Sequence, residues 1–368
     1  MIEEIHLGKL LLSTLIKSYR LNARGTERYA LGLMSKLISS HFKREKFQGK
    51  NGFYPPRFTT INPTDQCQLD CKGCSTRSER LTHQEGFPYE TLNELIKNLD
   101  DMGVIGNALL GGEPLVESSK KIVLPLIENN PDKYFAIVTN AIGLDDRCVK
   151  TTLANWNVFW YLSLNGMKEK SEKVRGEGSF SYTERAMKLL ASNRIPFGAS
   201  VVVSKNNWGE VSSKEFLGFL ADNGAVNAAF LQMAPIDEYC AHESLSIEER
   251  GRFSERLKKT LKEGRITGIN YAEEVKTFGC SAGKRHYYIT SKGEVMLCNL
   301  MSASLGNIKN DSFENIISSG FARDYRTLSA SYPPSCLASG APGKIRELAV
   351  KHGLKIVGKE LEFMAGLQ

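Results

Sequence analysis

Between Arg57 and Gln232, short β-prone runs alternate with helical periodicity, and no other feature of the sequence restricts the fold as strongly. Strand-like segments at 57–61, 104–110, 134–139, 158–164, 197–203 and 226–232 are separated by helical patterns at 88–102, 122–128, 145–155, 182–193 and 211–223. Strand, helix, strand repeated in this way predicts parallel neighbours joined by right-handed crossovers, an α/β architecture. In such sheets chemistry gathers where the strands end, because the strands hold the variable loops rigidly. The candidates fall there: Cys67 to Cys74, Gly111 to Pro114, Asn140, Ser163 with Asn165, Ser204 to Asn207, and Gln232.

Cys67, Cys71 and Cys74 are separated by three and then two residues, directly after the first strand-like run. Three thiols at that spacing can curl into one loop and ligate three corners of an iron–sulfur cluster, leaving one iron open. Zinc is the competing reading, but it wants a fourth protein ligand, and the nearest histidine, His83, has no partner at metal-site spacing. At the end of the second strand-like run, Gly111-Gly112-Glu113-Pro114 offers a bend without side chains and a carboxylate able to accept hydrogen bonds from an ammonium group.

In this order and spacing the two motifs resemble the radical S-adenosylmethionine (SAM) superfamily. The resemblance implies a partial (β/α)6 radical SAM barrel, with a 4Fe-4S cluster on Cys67, Cys71 and Cys74 and the SAM amino group at Gly111, Gly112, Glu113 and Pro114. Asn140, after the third strand, is a cofactor-binding candidate by position, and the resemblance extends to Ser163 and Arg175, which resemble the pair that grips the carboxylate and ribose of SAM. A guanidinium fork beside a small hydroxyl suits that task. Asn165 stands where Asp is commoner and receives no role. Gly73 departs from the family, where an aromatic residue often precedes the third cysteine and lies against the adenine; Leu231 or Gln232 is the substitute at the end of the sixth strand.

Further along, Cys280, twelve residues, Gly293, four residues and Cys298 enclose two strand-like runs, and Cys336 follows. This spacing resembles the twitch or SPASM domain, a small C-terminal α+β unit with an auxiliary 4Fe-4S cluster. The shorter twitch type on Cys280, Cys298 and Cys336 is the expectation, its fourth site open to substrate or filled by a remote ligand such as Cys240. Cys240 is alternatively a hydrogen donor at the active face, and Cys148, inside a helical pattern, a core residue.

The expected division is a basic amphipathic helical extension and linker at 1–50, the barrel at 51–240, a connecting helix and auxiliary-cluster domain at 241–340, and a C-terminal helical tail at 341–368. Of the net charge of +7, residues 1–50 hold ten Lys and Arg against four Glu, so the body is nearly neutral and no nucleic-acid partner is expected. Leu31, Met34, Leu37, Ile38 and Phe42 mark one helical face, and residues 5–19 a greasier helix. Either docks on the core or, through residues 1–46, lies on an anionic membrane surface. The cysteine pattern suits no secreted disulfide framework, so a reducing cytoplasm is expected. Because the N-terminus reads as helical, the substrate is expected to be a small biosynthetic or lipid-linked molecule, with flavodoxin or ferredoxin as electron donor. Peptide modification and an iron–sulfur sensor that does not consume SAM are the alternatives.

Overall fold

The computed structural model describes residues 26–76 and 86–367, together with Ile16. Its first helix, α1 (Thr26–Asn51), precedes strand β1 (Phe58–Ile61). Then follow α2 (Tyr89–Asp101), β2 (Gly106–Leu109), α3 (Glu117–Glu128), β3 (Tyr134–Thr139), α4 (Asp146–Asn155) and β4 (Val158–Leu164). The chain continues through α5 (Lys168–Arg175), α6 (Ser179–Ser192), β5 (Phe197–Val203), α7 (Trp208–Val211), α8 (Lys214–Asp222) and β6 (Ala225–Gln232). Strands β1 to β6 lie side by side in sequence order and every pairing between them is parallel, as six strand–helix units require.

The local reasons are visible in the residues. Leu92, Leu95, Ile96 and Leu99 recur at helical spacing in α2 and are all buried. β4 is buried at every position but Tyr161, the pattern of a parallel strand covered on both faces. Asp145 starts α4 by accepting from the backbone N–H groups of Arg147 and Cys148, which would otherwise lack partners.

Both edges of the barrel sheet are extended. After α9 (Glu238–Glu243) and α10 (Ile247–Glu263), β7 (Thr267–Asn270) adds a seventh parallel strand beside β6, so the sheet runs past the expected boundary at residue 240. After α11 (Tyr271–Phe278), β8 (His286–Ile289) pairs in parallel with β1, and β9 (Glu294–Met296) turns back against β8. The two strand-like runs expected between Cys280 and Cys298 are therefore an extension of the barrel sheet on its β1 edge.

The remaining elements are β10 (Ala303–Ser304), β11 (Gly306–Asn307), α12 (Phe313–Ile317), α13 (Gly320–Ser331), α14 (Leu337–Gly340), α15 (Pro342–Lys351), β12 (Lys355–Ile356) and α16 (Glu360–Gly366). β12 pairs with β10, and Leu361 and Met364 are buried, so the expected tail is packed into the C-terminal unit.

The N-terminal helix reverses its expected orientation. Leu31, Met34, Ile38 and Phe42 are between 57% and 69% exposed, whereas Lys36, Ser40, Arg44 and Phe47 face the protein. Lys36 and Lys43 both bond the Asp100 carboxylate, and Arg44 donates to the carbonyls of Pro55 and Pro56 at 2.7 and 2.8 Å. These cations bind the body, which removes them from the lipid-facing role their sequence suggested. The linker expected at the end of residues 1–50 is helix as far as Asn51. The apolar helix expected at residues 5–19 lies outside the described residues except for Ile16.

Candidate active site

Three segments meet where β1, β2 and β3 end. In the loop after β1, Asn62 donates to Asp65 at 2.7 Å and its carbonyl oxygen accepts from the Thr64 N–H. The Gly111–Glu113 bend lies against this loop, with Gly112 N–H on Thr64 O at 3.0 Å and Glu113 N–H on Gln66 O at 2.7 Å. A Cβ at Gly111 would come within 1.7 Å of Asn62 Oδ1, and one at Gly112 within 2.2 Å of Gln66 O. The paired glycines therefore have a structural reason that the sequence did not show: they let the second motif rest on the backbone of the first.

The three thiols of this loop are half-buried and unpaired with one another as disulfides. Cys67 Sγ accepts from Leu69 N–H at 3.5 Å and from the Asn140 side-chain amide at 3.7 Å. Cys74 Sγ lies 3.4 Å from the Thr76 hydroxyl, which donates to Gly111 O. The two N–H donors on Cys67 Sγ suit a sulfur that ligates iron. The Lys72 N–H reaches Val174 O in α5 at 3.0 Å, which brings the end of that helix to the loop.

Glu113 is 2% exposed. Its Oε1 accepts from Thr139 Oγ1 at 2.6 Å and Leu115 N–H at 2.9 Å, and its Oε2 from Asn140 N–H at 2.7 Å. Burial raises its pKa, opposed by these bonds and by the charge of Arg175. The carboxylate expected to meet an ammonium ligand is thus engaged in clamping the end of β2 to the end of β3. Pro114 beside it is buried.

Ser163 is buried near the end of β4, in register with Ser200 of β5. Arg175 closes α5, and its Nε donates to Asn165 Oδ1 at 2.7 Å. Asn165 O in turn accepts from Asn207 at 2.8 Å. The residue that carried no role in the sequence reading therefore orients the guanidinium. Leu231, at the end of β6, is 38% exposed. The adjacent Gln232 has a buried Nε2 with no partner among the described residues.

Cys240 is fully buried in α9 and packs on the first thiol loop: its Sγ lies 2.8 Å from where a Cβ on Gly73 would stand, with the Tyr239 ring 3.1 Å away. Gly73 itself has φ +67°, in the left-handed region. Burial raises the thiol pKa, with Asp237 and Cys74 adding to the effect. Cys240 thus lies against the loop that carries Cys71 and Cys74. Cys148 is buried core, as expected, with its pKa pushed up to about 12 by burial.

Cys280, Cys298 and Cys336, which come from three separate loops, are brought together. Burial pushes the Cys298 thiol up, and the charges of Cys280 and Cys336 push it further; Cys336 is raised by burial and by Cys280. One buried and two half-buried thiols whose thiolate forms would repel one another are a poor arrangement alone and a natural one around a soft, positively charged metal centre. Among the described residues no three His, Cys, Asp or Glu side chains gather tightly enough for a single metal ion.

The Radical SAM superfamily description matches residues 61–217, the span from the end of β1 to α8. The chain carries a radical SAM domain. A second match, to an iron–sulfur cluster-binding SPASM domain, covers residues 280–338 and includes all three C-terminal thiols. The cofactors of this radical SAM protein are therefore a 4Fe-4S cluster and SAM, with an auxiliary iron–sulfur cluster in the SPASM part.

Among curated proteins, the chain is 25% identical over 271 residues to the sporulation killing factor maturation protein SkfB of Bacillus subtilis. It is also 25% identical over 285 residues to the subtilosin biosynthesis protein AlbA of the same organism. These matches take in 72% and 74% of this chain but 65% and 61% of the relatives, so the chain spans less than two thirds of either. Streptococcus suis SuiB, solved with its precursor peptide SuiA, shares the fold at a TM-score of 0.64 and 16% identity, over 80% of this chain and 70% of that one.

These relatives overturn the expected non-peptide substrate: two are named for the maturation of a killing factor and the biosynthesis of a bacteriocin, and SuiB is solved with a precursor peptide. The premise of that expectation, a helical N-terminus, is correct for residues 26–51. A helix outside the barrel does not decide what the ends of the strands accept. Among the described residues no helix is long and apolar enough to cross a membrane.

Proposed function

We propose that this radical SAM protein is a peptide-modifying enzyme. The names of the first curated relatives, a killing factor maturation protein and a bacteriocin biosynthesis protein, carry the reading, and the arrangement at the strand ends is compatible with it. Cys67, Cys71 and Cys74 would hold the SAM-binding cluster; Cys280, Cys298 and Cys336 would hold the auxiliary one. When bound and supplied with one electron, the first cluster and SAM would supply hydrogen-atom abstraction from the substrate, at the cost of the SAM carbon–sulfur bond and with methionine and 5'-deoxyadenosine as products.

The residues of the chain prepare that event. Asn140 donates toward Cys67, Glu113 fixes the bend beside the thiol loop, and Arg175, held by Asn165, presents a guanidinium suited to the carboxylate of SAM. Ser163 completes that grip, and Leu231 offers an apolar contact for the adenine at the open end of β6. The electron donor is a flavodoxin or ferredoxin, and the eight free thiols suit the reducing cytoplasm.

The test is anaerobic co-expression with short peptides encoded beside its gene, followed by mass spectrometry and measurement of 5'-deoxyadenosine. A peptide lighter by about two hydrogens, as expected for a new cross-link that replaces two bonds to hydrogen, together with peptide-stimulated 5'-deoxyadenosine, supports the proposal. Formation of 5'-deoxyadenosine that no peptide stimulates contradicts the substrate class. Clusters without SAM cleavage would make the protein a sensor or electron carrier.

A further inference from the structure

Tyr325, on α13, is fully buried, and its hydroxyl lies 4.0 Å from Cys280 Sγ. Among the described residues this is its single hydrogen-bond partner. A buried phenol normally finds a strong acceptor, because leaving a hydroxyl poorly paired costs about 1–3 kcal/mol. A neutral thiol at that distance is a weak one. A thiolate bound to iron is a much better acceptor, because the bond becomes charge-assisted.

The ring has little freedom to turn elsewhere. Phe321 stacks on it with centroids 6.3 Å apart. On another side lies Gly283, at φ +65°, where a Cβ would fall 2.7 Å from the tyrosine ring. Tyr287, a second buried phenol nearby, donates instead to Gly283 O at 2.8 Å.

We infer that Tyr325 donates to the Cys280 thiolate of the auxiliary cluster and sets its reduction potential, an inference that rests on the proposed assignment of Cys280, Cys298 and Cys336 to that cluster. A donor to a ligating sulfur draws charge from the cluster and favours the form with one more electron. Tyr325 is a positioning and tuning residue and ligates no iron.

The test compares reconstituted wild type, Tyr325→Phe and Tyr287→Phe by iron analysis and by redox titration followed with electron paramagnetic resonance. Tyr325→Phe is expected to keep the wild-type iron content and to shift the auxiliary potential to a more negative value. At the wild-type midpoint, its ratio of reduced to oxidised auxiliary cluster should be about three- to tenfold lower, the size of one charge-assisted bond. Tyr287→Phe should leave the potential in place. An unshifted potential in Tyr325→Phe, an equal shift in both variants, or loss of auxiliary iron in Tyr325→Phe would each overturn the inference. Wild type holding one cluster alone would remove the assignment beneath it.

Discussion

Asn299 donates its side-chain amide to the Ser75 hydroxyl across 3.1 Å, joining the residue after Cys298 to the residue after Cys74. A second link runs from Ser291 to Asp65 at 2.7 Å, between the turn after β8 and the loop after β1. The two groups of thiols are therefore braced by direct contacts between their own loops, as well as by the pairing of β8 with β1.

Breaking the first link should loosen the first cluster without removing any ligand. Asn299→Ala is expected to bind the wild-type amount of iron but to release iron to a chelator several-fold faster, since one hydrogen bond is worth about 1 kcal/mol. Chelation rates matching wild type would show that the link does not matter to the thiol loop.

Asp100 receives Lys36 and Lys43, and Lys133 stands 3.9 Å from it. Asp100→Ala leaves these cations facing one another, with Lys36 buried, and should cost about 3 kcal/mol in denaturant unfolding. By contrast, Ile38→Ser changes an exposed side chain and should stay within about 0.5 kcal/mol of wild type. Equal effects of the two substitutions would contradict the observed face of α1.

The N-terminal helix also shows what the sequence conceals. Its apolar stripe has the right period, yet the face that docks is chosen by Asp100, 64 residues beyond Lys36, and local periodicity carries no information about such a partner. Strands buried on both sides were far more legible: β3, β4 and β5 end where their apolar runs end. In the site, the cysteine spacing and the Gly-Gly-Glu-Pro bend were readable because a chemical requirement writes itself into consecutive residues. The roles of Asn165, Tyr325 and Cys240 arise only when distant segments meet, as does the pairing of β7 with β6.

His286 sits on β8 with one ring nitrogen 2.7 Å from Thr60 Oγ1, and burial lowers its pKa to about 4. The folded pKa lies below the unfolded value near 6.5, so the unfolded chain binds the extra proton between them and stability falls as the pH drops through that window. The loss should approach roughly 1 kcal/mol per pH unit. His286→Gln should flatten this dependence between pH 7 and pH 5 in urea titrations; an unchanged slope would place its origin elsewhere.

Arg175→Lys keeps the charge but loses the planar fork that Asn165 orients. SAM dissociation constants, measured on reconstituted protein, should rise about tenfold while iron content stays at the wild-type level. Wild-type affinity would take Arg175 out of the proposed SAM site.

The central claim is that Cys67, Cys71 and Cys74 hold the cluster at which SAM is cleaved. Its most direct test is 5'-deoxyadenosine formation by anaerobically reconstituted, reduced protein, with iron counted in parallel for wild type and Cys71→Ala. The account predicts about eight irons and steady production of 5'-deoxyadenosine in wild type, against about four irons and no production in the variant. Full production by Cys71→Ala would contradict it.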